Sequence, residues 1–232
     1  MFKRKVDNHK IFKKAIKLST VIFLVGIIVF ITLEPSIVES ADNKQITVSA
    51  TVDAEFSVTS PDSTLSLTPS IPGVTGNAGS PATGTETFTV ITNNNTGFIM
   101  KIKASSVTPA ALVHATDNTY YFSDHTTTAS YSWTAPGAAA ASFGYTINPA
   151  TAADKAQAFK DNGSACGGAY TGNTTDKCWS GLTAADVTVI SRSTPTSSSG
   201  EAEAVKFNAE SNAKFLRSGS YTATVTVTAA TP

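Results

Sequence analysis

Between residues 46 and 60 the chain reads ITVSATVDAEFSVTS, and apolar and polar residues alternate almost without a break. Ile46, Val48, Ala50, Val52, Ala54, Phe56 and Val58 share one parity, and Thr, Ser, Asp and Glu occupy the other. Successive side chains of a strand point to opposite faces, so this stretch predicts a strand with one apolar and one wet face. The pattern returns in 218–232, SGSYTATVTVTAATP, with Tyr221, Ala223, Val225, Val227 and Ala229 on one side and four threonines on the other. Between these ends, strand-length runs occur at 64–68, 84–92, 97–105, 119–122, 129–133, 142–147, 186–191 and 203–209, separated by Gly, Pro, Asn and Ser. The asparagine tract at 93–96 predicts a hairpin between two of them, because Asn tolerates positive φ and bonds locally. Many short strands with little helix predict a β-sandwich or barrel.

Two segments depart from the two-residue period. Residues 70–84 form a polar, Gly- and Pro-rich loop. Residues 149–163, PATAADKAQAFKDNG, predict a short helix with Thr151 as its cap, Asp154 in the first turn, Lys160 in the last and Gly163 as its stop. The two cysteines, Cys166 and Cys178, follow at once. An even count in an exported chain predicts a disulfide, with free thiols as the alternative; a zinc site is disfavoured because no His stands near either Cys. Residues 149–185 therefore read as one excursion pinned by that bond. It serves either as a binding loop or as a lid whose Phe159 and Trp179 plug the core.

Residues 1–17 hold seven Lys or Arg against one Asp, and 18–33 hold no charge. A basic head, an apolar run, and small residues before a cut describe a secretory signal, with Val38 and Ser40 placing the cut after residue 40. The alternative is a retained membrane anchor, although sixteen residues at about 1.5 Å each fall short of the hydrocarbon core. Either way 41–232 is expected outside the membrane, at the cell surface or beyond, with membrane contact only through 18–33. No L-P-x-T-G motif follows, so sorting to a cell wall is not expected.

Residues 41–232 carry ten Lys or Arg and fourteen Asp or Glu, a formal charge of −4. That balance argues against nucleic acid, whose binding needs a basic stripe. Past the leader only His114 and His125 remain, neither in a nucleophile elbow nor in a metal-binding motif. No phosphate-binding glycine loop and no EF-hand loop is present, so no catalytic residue, metal or cofactor is expected. NNT at 94–96, NGS at 162–164 and NTT at 173–175 match glycosylation sequons. Aromatic residues crowd into 120–145, and they serve as core or as a stacking platform for a sugar. Trp133 and Trp179 are the candidate ligand-binding residues on the latter reading.

ADNKQITVSATVDAEFSV, 41–58, resembles the N-terminal strand of bacterial fimbrial subunits assembled by donor-strand exchange. SGSYTATVTVTA resembles the closing strand of those subunits and of spore-coat-U-like secreted domains. Together these stretches cover about thirty residues. The resemblance implies a secreted, immunoglobulin-like or pilin-like β-sandwich of the cell surface without catalytic residues. The insertion with Cys166 and Cys178 belongs to neither family, and the final strand is complete rather than missing.

The combined expectation is an all-β sandwich of about eight to ten strands, with one short helix and the insertion at 149–185. Its function is structural or adhesive and non-enzymatic, with copies of itself or other surface proteins as partners. Ile46, Val48, Ala50, Val52, Ala54 and Phe56 would be the pegs of an assembly strand. The alternative is a self-contained module that binds carbohydrate or protein.

Overall fold

The computed structural model describes residues 49–60 and 64–232. The chain divides into two units, Met1–Thr51 and Val52–Pro232, and the fold below is that of the second. It is all-β. The strands are β1 (Phe56–Thr59), β2 (Ala82–Thr92), β3 (Phe98–Ala104), β4 (Leu112–His114), β5 (Tyr121–Asp124) and β6 (Ala140–Pro149). They continue with β7 (Val187–Arg192), β8 (Glu201–Asn212), β9 (Tyr221–Thr222) and β10 (Val225–Ala230). Seven form one sheet in the order β1-β2-β8-β6-β5-β4-β9, and three form a second in the order β10-β3-β7. All neighbours are antiparallel except β5 and β6.

Period-two patterning sets what each strand buries. β3 turns Phe98, Met100, Ile102 and Ala104 inward and Lys101 and Lys103 outward. β6 and β8 pair in one unbroken register, Phe143 opposite Ala209, Tyr145 opposite Phe207 and Ile147 opposite Val205. These six join Val90 of β2, Val189 and Ile190 of β7 and the β3 residues in one apolar cluster, the layer between the sheets. The long C-terminal alternation divides between sheets. β9 ends the larger sheet, and two residues later β10 enters the smaller one with Val225, Val227 and Ala229 still facing the core.

Several expectations need correction. The asparagine turn after β2 is not a hairpin. It lifts the chain from the larger sheet to the smaller, because β2 is already flanked by β1 and β8, and β3 by β10 and β7. Gly97 closes this turn at φ +72°, donating to Asn94 O at 2.9 Å, where a Cβ would meet the Arg192 carbonyl.

The helix expected at 149–163 is replaced by two single 3-10 turns, Ala152–Asp154 and Gln157–Phe159. Thr151 makes no side-chain cap bond. The backbone between the turns instead pairs with the edge of β7, Lys155 opposite Ile190 and Ala156 N donating to Val189 O. Phe159 meanwhile turns into the core, 1% exposed. The runs at 64–68 and 129–133 contribute only single bridges, Thr68 to Thr83 and Ser130 to Trp179. Of the long strand expected from residue 46, only Phe56–Thr59 is strand among the described residues.

The Cys166–Cys178 disulfide is present, 5.7 Å between Cα atoms, and is compatible with an oxidising compartment. Among the described residues no helix is long and apolar enough to cross a membrane; residues 18–33 lie outside them.

Candidate functional site

Two places bring together the residues singled out by the sequence. The first is the edge of the larger sheet. β1 pairs with β2 alone, Phe56 opposite Thr92 and Val58 opposite Val90, so its far side has no strand. Phe56 packs against the core cluster. Ala50, Val52 and Ala54 are exposed, Val52 by 82%; Ile46 and Val48 lie outside the described residues. The approach to β1 is held by side chains rather than by a ladder. Glu55 N donates to Asn93 Oδ1 at 2.6 Å, Asn93 Nδ2 to Asp53 O at 2.8 Å, and Thr92 Oγ1 to Glu55 O at 2.9 Å. Thus, among the described residues, the alternating segment joins its own sheet as strand only at Phe56–Thr59, and Asp53 and Glu55 are tied to the end of β2 by the side chains of Asn93 and Thr92.

The second place is the outer face of β6 and β8. Ser142, Gly144 and Thr146 stand there opposite Glu210, Asn208 and Lys206. Two loops cover them, one from each side of the disulfide-pinned excursion and the tyrosine-rich stretch. Trp133 stacks on His125 at 4.9 Å and meets Trp179 edge-on at 5.3 Å. Its indole N–H donates to Glu210 Oε2 at 2.6 Å, while Gly79 N donates to Glu210 Oε1, so this fully buried carboxylate is satisfied. Thr146 Oγ1 donates to Lys177 O, and Lys206 pairs with Asp176 at 2.6 Å. Asp176 sits below the usual carboxylate range: burial would raise it, but Lys206 and Asn148 outweigh that.

Trp179 is 3% exposed and donates to Asp176 O, so its ring faces are packed and unavailable to a sugar; Trp133 is half-buried. The excursion therefore acts as a cover on two levels. Phe159 fills the core beside Tyr145, ring centroids 5.7 Å apart, and Trp179 roofs the outside of the sheet. The close approach of that roof requires a glycine beneath it. A Cβ on Gly144 would lie 2.8 Å from both His125 Cβ and the Ser180 carbonyl. Gly144→Ala is expected to cost about 1–3 kcal/mol in chemical denaturation, with the loss of Trp133 near-UV dichroism. An unchanged midpoint would place the roof elsewhere.

Beside the roof lies a groove of about 290 Å³ lined by Asp124, His125, Thr126, Ser130, Thr134, Ala135, Pro136 and Ser142. His125 Nε2 and Ser130 Oγ are 2.8 Å apart, and Ser130 Oγ donates onward to Ser132 O at 3.1 Å. With its proton committed to a carbonyl, Ser130 accepts from the imidazole, and the pair braces a turn. Burial lowers the His125 pKa. Asp124 accepts from Ala111 N at 3.1 Å, and burial raises it to about 6. His114 lies elsewhere, edge-on to Tyr221 at 5.2 Å beside β9. Among the described residues no three His, Cys, Asp or Glu side chains are placed to hold a metal ion.

Sequence reasoning missed the buried charges. Arg192 gathers Asp154 at 2.7 Å, Glu201 at 3.4 Å and the carbonyls of Thr194 and Pro195, tying the start of the excursion to β7 and β8. Behind it Glu203 is fully buried, and neither carboxyl oxygen has a hydrogen-bond partner. Its signal was its parity with Val205, Phe207 and Ala209. Comparison of the chain with family models, with curated proteins and with solved structures finds no match.

Proposed function

We propose that this chain is a non-enzymatic, exported structural protein of the cell surface that associates with copies of itself through the alternating segment 46–54. One observation carries the reading. Among the described residues, a sequence patterned to bury one face forms strand only at Phe56–Thr59 and leaves Val52 82% exposed. Leaving a valine in water forgoes roughly 1.5–3 kcal/mol, which a neighbouring copy recovers by strand addition. Main-chain hydrogen bonds supply the affinity and alternate side chains the register. The Cys166–Cys178 bond, the uncharged run at 18–33 after a basic head, and the hydroxyl-rich outward faces support export. The carbohydrate reading loses Trp179 to the roof and keeps only the groove beside Trp133.

Val52→Asp in the full-length protein, purified in mild detergent because of 18–33, tests the reading. Wild type is expected to grow in sedimenting size with concentration. Val52→Asp is expected to stay small at an unchanged melting temperature, because residue 52 is 82% exposed and lies outside β1. Equal sizes for both proteins at every concentration refute assembly through this segment.

A further inference from the structure

The strand that receives segment 46–54 is identifiable from the free edges of the two sheets. Four strands end a sheet: β1, β9, β7 and β10. β1 has four residues and β9 two. The outer side of β7 is occupied where Lys155 pairs with Ile190 and Ala156 N donates to Val189 O. β10 differs from all three. Its six residues, VTVTAA, contain no charge and no proline, and all six pair with β3 without a bulge, Val225 opposite Ala104 through Ala230 opposite Ile99. Charges, prolines and bulges are the devices that keep an edge from pairing, and β10 has none of them.

The ladder also shows which groups are available. Ser105 N donates to Thr224 O at 2.9 Å, whereas Ala104 N points the other way, to Thr183 O at 2.8 Å. Hydrogen-bonded and non-hydrogen-bonded pairs alternate along an antiparallel ladder. Thr226, Thr228 and Ala230 therefore turn their N–H and C=O toward β3, and Val225, Val227 and Ala229 turn theirs to the open side. Among the described residues no backbone group bonds to that side. The core is also incompletely closed here. Met100, Ile102 and Ala104 of β3 are buried, while Ala229, Val227 and Val225 opposite them are only half-buried.

We propose that the edge of β10 is the acceptor, and that residues 46–54 of a second copy add to it as the next strand. This rests on the assembly reading above. The incoming apolar residues, Ile46 to Ala54 at every second position, extend the row of Val225, Val227 and Ala229 over the half-open core. Their polar neighbours join Thr226 and Thr228 outside. Charge agrees with this placement: the outward parity of the segment carries Asp53, and the outward face of the acceptor sheet carries exposed Lys101, while half-buried Lys103 beside it pairs with Asp186 at 3.2 Å. Donor and acceptor are different parts of the chain, so the contact is head-to-tail and propagates into filaments.

Proline on the open side of an edge strand removes a donor without breaking the existing ladder. Full-length Val227→Pro and Ala229→Pro are therefore compared with Val52→Asp by analytical ultracentrifugation, with circular dichroism reporting the fold of each. The expected result is loss of large species in all three, by roughly tenfold or more in sedimenting mass. An equimolar mixture of Val52→Asp, which keeps its acceptor, with either proline variant, which keeps its donor, should yield one-to-one pairs and nothing larger. If both folded proline variants still assemble while Val52→Asp does not, the acceptor lies elsewhere and the assembly reading stands. If Val52→Asp assembles, that reading itself fails. If one proline variant unfolds, the other and its mixture with Val52→Asp decide; should both unfold, β10 is needed for folding in a way this edge assignment does not permit, and the proposal is overturned.

Discussion

Glu203→Gln is expected to stabilise the protein, and by more as the pH rises. Glu203 stands on the core face of β8, fully buried, with both carboxyl oxygens unpaired. Burial is the main cause that raises its pKa from 4.5 to about 8; Asp154 and Glu201 push the same way and Arg192 opposes them. Glu86 also faces the core from the neighbouring β2 and accepts from Ser60 Oγ at 2.6 Å. Below 4.5 the carboxyl is protonated in both folded and unfolded chains and costs nothing extra. Between 4.5 and about 8 the unfolded chain loses the proton while the folded one keeps it, so stability falls as pH rises. The loss across that window is on the order of 4 kcal/mol. Glutamine does not titrate. Thermal melts at pH 5 and pH 9 should therefore show the variant ahead by roughly 10 °C more at the higher pH. A gap that does not change with pH would mean that Glu203 is ionised in the folded protein.

The double substitution Cys166→Ser, Cys178→Ser is expected to lower stability by about 3 kcal/mol, the loop-closure value for a bond of this span. A fall of roughly 10 °C in melting temperature follows for a domain of this size. The loss should be uneven. Cys178 adjoins Trp179, whose burial under Trp133 depends on the pinned loop, whereas Phe159 is held separately by the pairing of Lys155 and Ala156 with β7. Tryptophan near-UV dichroism should collapse before the far-UV strand signal does. Coincident transitions would show that the excursion and the sandwich form one cooperative unit.

The two-residue period made most of the sandwich legible. GTETFTVIT, GFIMKIKAS, SFGYTI, DVTVIS, EAVKFNA and the final VTVTAA all coincide with strands, overrunning them by at most a residue at either end, and apolar residues of each face the core. What failed was everything that depends on a partner. TLSLT and ASYSW have strand composition but find only one bridge each, since composition does not reveal whether a free edge is within reach. The asparagine tract marked a reversal correctly and a hairpin wrongly, because turn chemistry does not choose the sheet on the far side. Ala- and Lys-rich 152–160 imitated a helix until β7 claimed its backbone. At the outer roof the candidate binding residues have packing roles that composition does not reveal: Trp133 is half-buried and donates to Glu210, and Trp179 is 3% exposed beneath it. Glu203 and Glu210 escaped notice because carboxylates are ordinarily placed in water; parity along β8 was the available clue for Glu203 alone, since Glu210 stands on the outward face and is buried by the Trp133 and Gly79 loops.

The central claim is that the apolar face of segment 46–54 is covered by another copy. Hydrogen exchange at the amides of 49–54, followed over protein concentration, reports on it directly. Free exchange is expected in dilute solution, with slowing by roughly tenfold or more once large species form, in step with Val225, Val227 and Ala229. Exchange of 49–54 that stays fast at every concentration, in a sample that demonstrably assembles, would contradict it.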